Sequence, residues 1–186
     1  MKNLSTDIIV TTVNDNATEA TLTLGDKIYP CALGKRGIAR TKSEGDMKTP
    51  IGRFPLRTVF YRYDKLSRPI YSKVPMMALL EEDGWCDDPE DLAYNKPVML
   101  PYHASAERLW REDDLYDVII VLGQNDHPVE KGRGSAIFVH VAREHGDDPD
   151  EGRFAATRGC IALKKQDLLE ILPTLSPDTT LRVVAP

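Results

Sequence analysis

Apolar residues in this chain come in short runs broken by polar ones, and few stretches repeat at helical spacing. DIIVTTV (7–13), EATLTLGDKIYPCAL (19–33), FPLRTVFYRY (54–63), YDVIIVLG (116–123), SAIFVHVA (135–142), GCIAL (159–163) and TLRVVAP (180–186) are rich in β-branched and aromatic residues. They predict strands, with a hairpin tip at Leu24-Gly25-Asp26-Lys27. ASAERLWRED (104–113) and KKQDLLEIL (164–172) are the two helical candidates. In the second, Leu168, Leu169, Ile171 and Leu172 share one broad face. Residues 76–103 mix Pro, Gly, acids and aromatics without a sustained period, which predicts a long inserted loop over the sheet. The expected fold class is mainly β, a sandwich or mixed sheet with a few helices.

A length of 186 residues suits one core rather than two. With no repeat and no low-complexity linker, residues 1–186 read as a single domain.

Charge narrows the function. The net charge is −5 and the basic residues are scattered, so nucleic acid finds no basic face to grip. In the N-terminal segment the longest apolar run is Ile8 to Val10, too short for a signal peptide or a membrane span. The expectation is a cytoplasmic protein without a membrane partner; a trimmed chain would instead be periplasmic. Cys31, Cys86 and Cys160 are too few and too far apart for a disulfide framework, and no C-x-x-C pair advertises zinc.

The chemistry concentrates in ATRGCIAL. A free thiol titrates near about 8.5, so a nucleophilic cysteine needs a base or a positive field beside it. Of the four histidines, His140 stands in the strand-like FVHV run and can project an imidazole from a rigid element. Gly159 allows close backbone approach, and N–H groups around Cys160 can receive an oxyanion. A cysteine opening an apolar strand is also an ordinary core residue. Periodicity alone leaves the two readings open.

Other features have plainer readings. The acids Asp147, Asp148, Asp150 and Glu151 lack the ligand alternation of a calcium loop and read as a solvated segment. A zinc site from His140, His145 and Cys160 has no advertised ligand spacing. Trp85, Cys86 and Tyr94 read as packing under the long loop. The glycines at 123, 132 and 134 form no phosphate-binding pattern.

TRGCIAL, preceded at this distance by FVHVA, resembles the signature of the L,D-transpeptidase catalytic domain (YkuD-type) family. EGDMKTPIGRFPL, with Thr49, Pro50, Gly52 and Phe54, resembles that family's Thr-Pro-x-Gly-x-Phe segment. The resemblance implies cysteine acyl transfer on peptidoglycan stem peptides, with no metal and no organic cofactor. Cys160 would be the nucleophile, His140 the general base and then acid, Gly159 part of the oxyanion site, and Thr157 a shaper of the pocket.

Three positions depart from the family pattern. Arg158 stands where a histidine usually precedes the glycine, Ala162 where Asn or Arg is common, and Val141 where a glycine often follows the histidine. These departures are similar to those of a cytoplasmic L,D-carboxypeptidase branch that trims the terminal D-alanine from tetrapeptides during murein recycling. Arg158 would hold the terminal carboxylate or favour thiolate. An L,D-transpeptidase, and a wall-peptide-binding protein without turnover, are the competing readings.

Overall fold

The computed structural model describes residues 7–145 and 152–186; the acidic segment 147–151 lies outside the described residues. Strands dominate: β1 (Ile8–Thr11), β2 (Glu19–Leu24), β3 (Lys27–Ala32), β4 (Ile38–Ala39), β5 (Thr49–Pro50), β6 (Gly52–Tyr61), β7 (Met76–Ala78), β8 (Asp83–Cys86), β9 (Pro97–Met99), β10 (Ala106–Arg108), β11 (Val118–Leu122), β12 (Phe138–Val141), β13 (Ile161–Leu163) and β14 (Thr180–Val184). One α-helix, α1 (Lys165–Ile171), follows β13. The expected mainly β, mixed-sheet class is what the chain forms.

The main sheet runs β11-β12-β13-β3-β2-β1-β14-β6-β7, and β6 also pairs with β11. Long β6 makes this possible: its first half pairs with β14 and its second half with β11. The sheet therefore curls until its ends meet. Most ladders are antiparallel, but β1–β14, β12–β13 and β6–β7 are parallel. The β2–β3 hairpin turns at Gly25, whose φ of 59° a glycine adopts without Cβ strain.

Alternation along the strands sorts side chains onto two faces. Ile120, Val139, Val141, Ile161 and Leu163 fill the larger core inside the curl, where Leu168 and Ile171 of α1 join them. Ile119, Val121, Phe138 and Cys160 point to the opposite face and pack with Phe60, Trp85, Leu109 and Tyr116. That second face is roofed by a small sheet of order β10-β8-β9.

The roof corrects two expectations. Residues 76–103 contain β7, β8 and β9 rather than one extended loop, and 104–113 supplies strand β10 instead of a helix. Cross-strand pairing, of β7 with β6 and of β9 and β10 with β8, decides the conformation of segments too short to show a period.

Candidate active site

Cys160 sits at the entrance to β13. The parallel register pairs Val139 with Ile161 and His140 with Ala162. Phe138, His140, Cys160 and Ala162 consequently lie on one face, with the histidine one alternation further along than the cysteine. The thiol lies between two backbone groups of the β12 side: Phe138 N–H donates to Sγ at 3.4 Å, and Sγ donates to Ala136 O at 3.2 Å. Ala136 has φ 52°, a left-handed conformation that is uncommon for a residue with a Cβ.

The imidazole is fixed from its other side. His140 Nδ1 lies 2.8 Å from Val141 O; a carbonyl only accepts, so Nδ1 carries the proton and Nε2 keeps its lone pair. Tyr116 meets the imidazole ring edge-on at 5.3 Å and Phe138 at 6.1 Å. Burial lowers the His140 pKa to about 4, and burial first, then Glu107, raises that of Cys160 to about 12. At neutral pH the pair is a neutral thiol beside a neutral imidazole. Both are nearly closed off, at 8% and 7% exposure.

Two threonines, one local and one distant in the chain, hold the turn before the cysteine. Thr157 Oγ1 donates to Cys160 O at 2.7 Å and accepts from Gly159 N–H at 3.0 Å. Thr49 Oγ1 also donates to Cys160 O, at 3.3 Å, and accepts from Gly34 N–H at 2.8 Å. Gly159 between them has φ 137°, and a Cβ there would stand 2.9 Å from Lys48 O. Only glycine fits that turn without displacement.

The expected site residues divide accordingly. His140 and Cys160 come together on one face, although among the described residues no hydrogen bond joins imidazole to thiol. Thr157 shapes the turn, its hydroxyl already engaged on both sides. The Gly159 N–H, expected as an oxyanion donor, is occupied by Thr157, which corrects that assignment for the resting structure. Arg158 is exposed; the cation whose field lowers the thiol pKa is instead Lys42. Lys42 is buried and pairs with Asp46. Ala162 is buried in an apolar cluster with Ala32, Ala142 and Phe154, where a polar residue would need a partner.

Sequence reasoning missed the roof. Tyr116 O–H donates to Glu107 Oε1 at 2.6 Å, and Trp85 meets Phe138 edge-on at 5.2 Å. The Asn95 amide ties the roof down: it accepts from Trp85 Nε1 and Ala136 N, both at 3.0 Å, and donates to Gln124 O and Asn125 O. A cavity of ≈ 360 Å³ beside this face is lined by Phe60, Trp85, Leu109 and Val121, with Arg57 and Asp126 among its polar residues. Among the described residues no three His, Cys, Asp or Glu side chains gather as a metal-holding group.

No curated protein matches the chain. Among solved structures, the chain is similar to L,D-transpeptidase 1 of Mycobacterium tuberculosis, at 12% identity and a TM-score of 0.39, over 96% of this chain and 62% of that one. The chain thus spans less than two thirds of that relative's length. The model of the L,D-transpeptidase catalytic domain, YkuD, matches residues 7–184, and with nearly the whole described chain inside that match, this protein belongs to the L,D-transpeptidase catalytic domain family.

Proposed function

We propose that the protein is a cysteine L,D-carboxypeptidase that removes the terminal D-alanine from peptidoglycan tetrapeptides, acting in murein recycling. The observation that carries this choice is the enclosure of the nucleophile: Cys160 is 8% exposed beneath the β8–β10 roof. Such close cover suits one slender peptide and a water better than two stems brought together for cross-linking.

In this reading the thiol turns from Ala136 O toward His140, whose Nε2 takes its proton as Sγ attacks the carbonyl of the third stem residue. The tetrahedral intermediate collapses, the C–N bond breaks, and His140 returns the proton to the departing D-alanine amine. Water, deprotonated by the same imidazole, then cleaves the thioester to give tripeptide carboxylic acid and free thiol. The Cys160 N–H, following the Gly159 turn, serves the oxyanion. Arg158, exposed two residues before the nucleophile, receives the terminal carboxylate in this reading.

Incubation with tetrapeptide, followed by mass spectrometry, tests the proposal. Wild type is expected to release D-alanine and tripeptide, and Cys160→Ala to release none. Added D-methionine separates the readings: its incorporation would identify a transpeptidase, and no release from folded, reduced protein would refute both catalytic readings.

A further inference from the structure

A lysine is buried against the turn that carries the nucleophile. Lys42 is 7% exposed, and two glycines make room for it. A Cβ on Gly134 would stand 2.7 Å from Lys42 Cγ, and one on Gly159 would stand 3.6 Å from Nζ. Gly134 leads through Ala136 into β12, and Gly159 directly precedes Cys160 at the entrance to β13. The side chain thus packs against both backbone segments that flank the sulfur, residues 134–138 and the Gly159 turn.

The ammonium is held from one side. Nζ donates to Ser43 O at 3.1 Å and to Asp46 Oδ1; among the described residues its third N–H has no acceptor. Asp46 is shared, since Ser43 N–H donates to its Oδ2 at 2.9 Å and Lys48 N–H to its Oδ1 at 2.8 Å. Glu44, the next acid of the same turn, is engaged by Tyr94 O–H and Ser135 Oγ. One carboxylate thus serves an ammonium and two backbone donors, and a positive field reaches Cys160.

Stability does not explain a cation at this spot. A buried ion pair is often no more stabilising than apolar side chains of similar volume, and a methionine has the length to fill the same cleft. A negative charge that must form beside Gly159 does explain it. Everything else around the sulfur withholds help: burial and Glu107 of the roof raise the thiol pKa, His140 and Tyr116 are kept neutral by burial, Arg111 is committed to Asp113, and Arg158 is exposed.

We infer that Lys42 is the fixed cation that supports negative charge on Cys160, and that Asp46 sets how much of that charge the sulfur feels. Lys42 touches no substrate in this role; it acts through the nucleophile. The inference rests on Cys160 as the attacking atom and is the same whether water or an amine resolves the acyl-enzyme.

Alkylation tests it without substrate. Neutral iodoacetamide is reacted with Cys160 between about pH 7 and 9, where the rate follows the thiolate fraction, and peptide mass mapping assigns the modified residue. Lys42→Met should slow the reaction by about 3- to 30-fold at every pH, the range of roughly half to one and a half pKa units. Asp46→Asn should accelerate it by about 2- to 10-fold, and Lys42→Arg should stay within about threefold of wild type. Loss of packing alone would move Lys42→Met and Asp46→Asn in the same direction, so opposite signs are the signature of a field. Where Lys42→Met does not fold, the double variant Lys42→Met/Asp46→Asn removes the pair together and should again be about 3- to 30-fold slower than Asp46→Asn. An unchanged rate in a folded variant lacking Lys42, or shifts of the same sign in the two single variants, overturns the inference. D-alanine release from tetrapeptide is measured separately: its failure in wild type counts against the carboxypeptidase reading and leaves the alkylation comparison intact.

Discussion

The hydroxyl of Thr49 ends on the carbonyl oxygen of Cys160, 3.3 Å away, while it accepts the N–H of Gly34 at 2.8 Å. Two sequence blocks far apart in the chain thus meet at the backbone of one cysteine. Thr49→Val removes both bonds and leaves a buried N–H unpaired, at an expected cost of about 1–3 kcal/mol by denaturant titration. Thr49→Ser should recover most of it. D-alanine release should fall with Thr49→Val by on the order of 100-fold if the sulfur drifts by about an ångström.

Gly159→Ala is expected to be more severe. It places a Cβ at φ 137° and 2.9 Å from Lys48 O, so the turn that presents Cys160 must shift. Kinetics should show kcat falling by at least about 100-fold, with a lowered Tm.

The pH dependence follows from burial. His140 has a folded pKa of about 4 against 6.5 in the unfolded chain, so the unfolded state binds its proton first as the medium is acidified. Stability contributed by neutral His140 is therefore whole above pH 6.5 and is lost between 6.5 and 4, by roughly 3 kcal/mol on linkage arithmetic. Denaturant midpoints across that window should fall less steeply in His140→Gln than in wild type. The acid limb of kcat/KM should likewise lie near pH 4.

Cys160 behaves in the opposite sense. Its pKa of about 12 keeps the proton in the folded protein while the unfolded thiol ionises, so stability declines as pH rises above 9. Iodoacetamide should modify Cys160 at pH 7 more slowly than free cysteine, which is half ionised near about 8.5.

The strands that build the site were legible because they lie inside longer apolar runs between clear breaks, VIIVL within YDVIIVLG and FVHV within SAIFVHVA. His140 and Cys160 were singled out by the family resemblance, their residue types alone leaving a core reading open, and the β12–β13 register brings both onto one face. The roof was not legible. Its strands are three or four residues long, below the length at which a period of two can be seen, and only pairing with distant segments fixes them. Glu107 consequently lay hidden in a stretch whose composition favours helix, and its partners Trp85 and Tyr116 are ones local spacing does not connect to it. The occupied Gly159 N–H was equally invisible, since it depends on the rotamer of Thr157.

Asn95 joins these parts mechanically. Its side-chain oxygen holds both the Trp85 indole and the Ala136 N–H, and the carbonyl of that same Ala136 takes the resting sulfhydryl proton. Displacing the small sheet at Trp85 therefore pulls, through this one amide, on the backbone unit to which the sulfur is tethered.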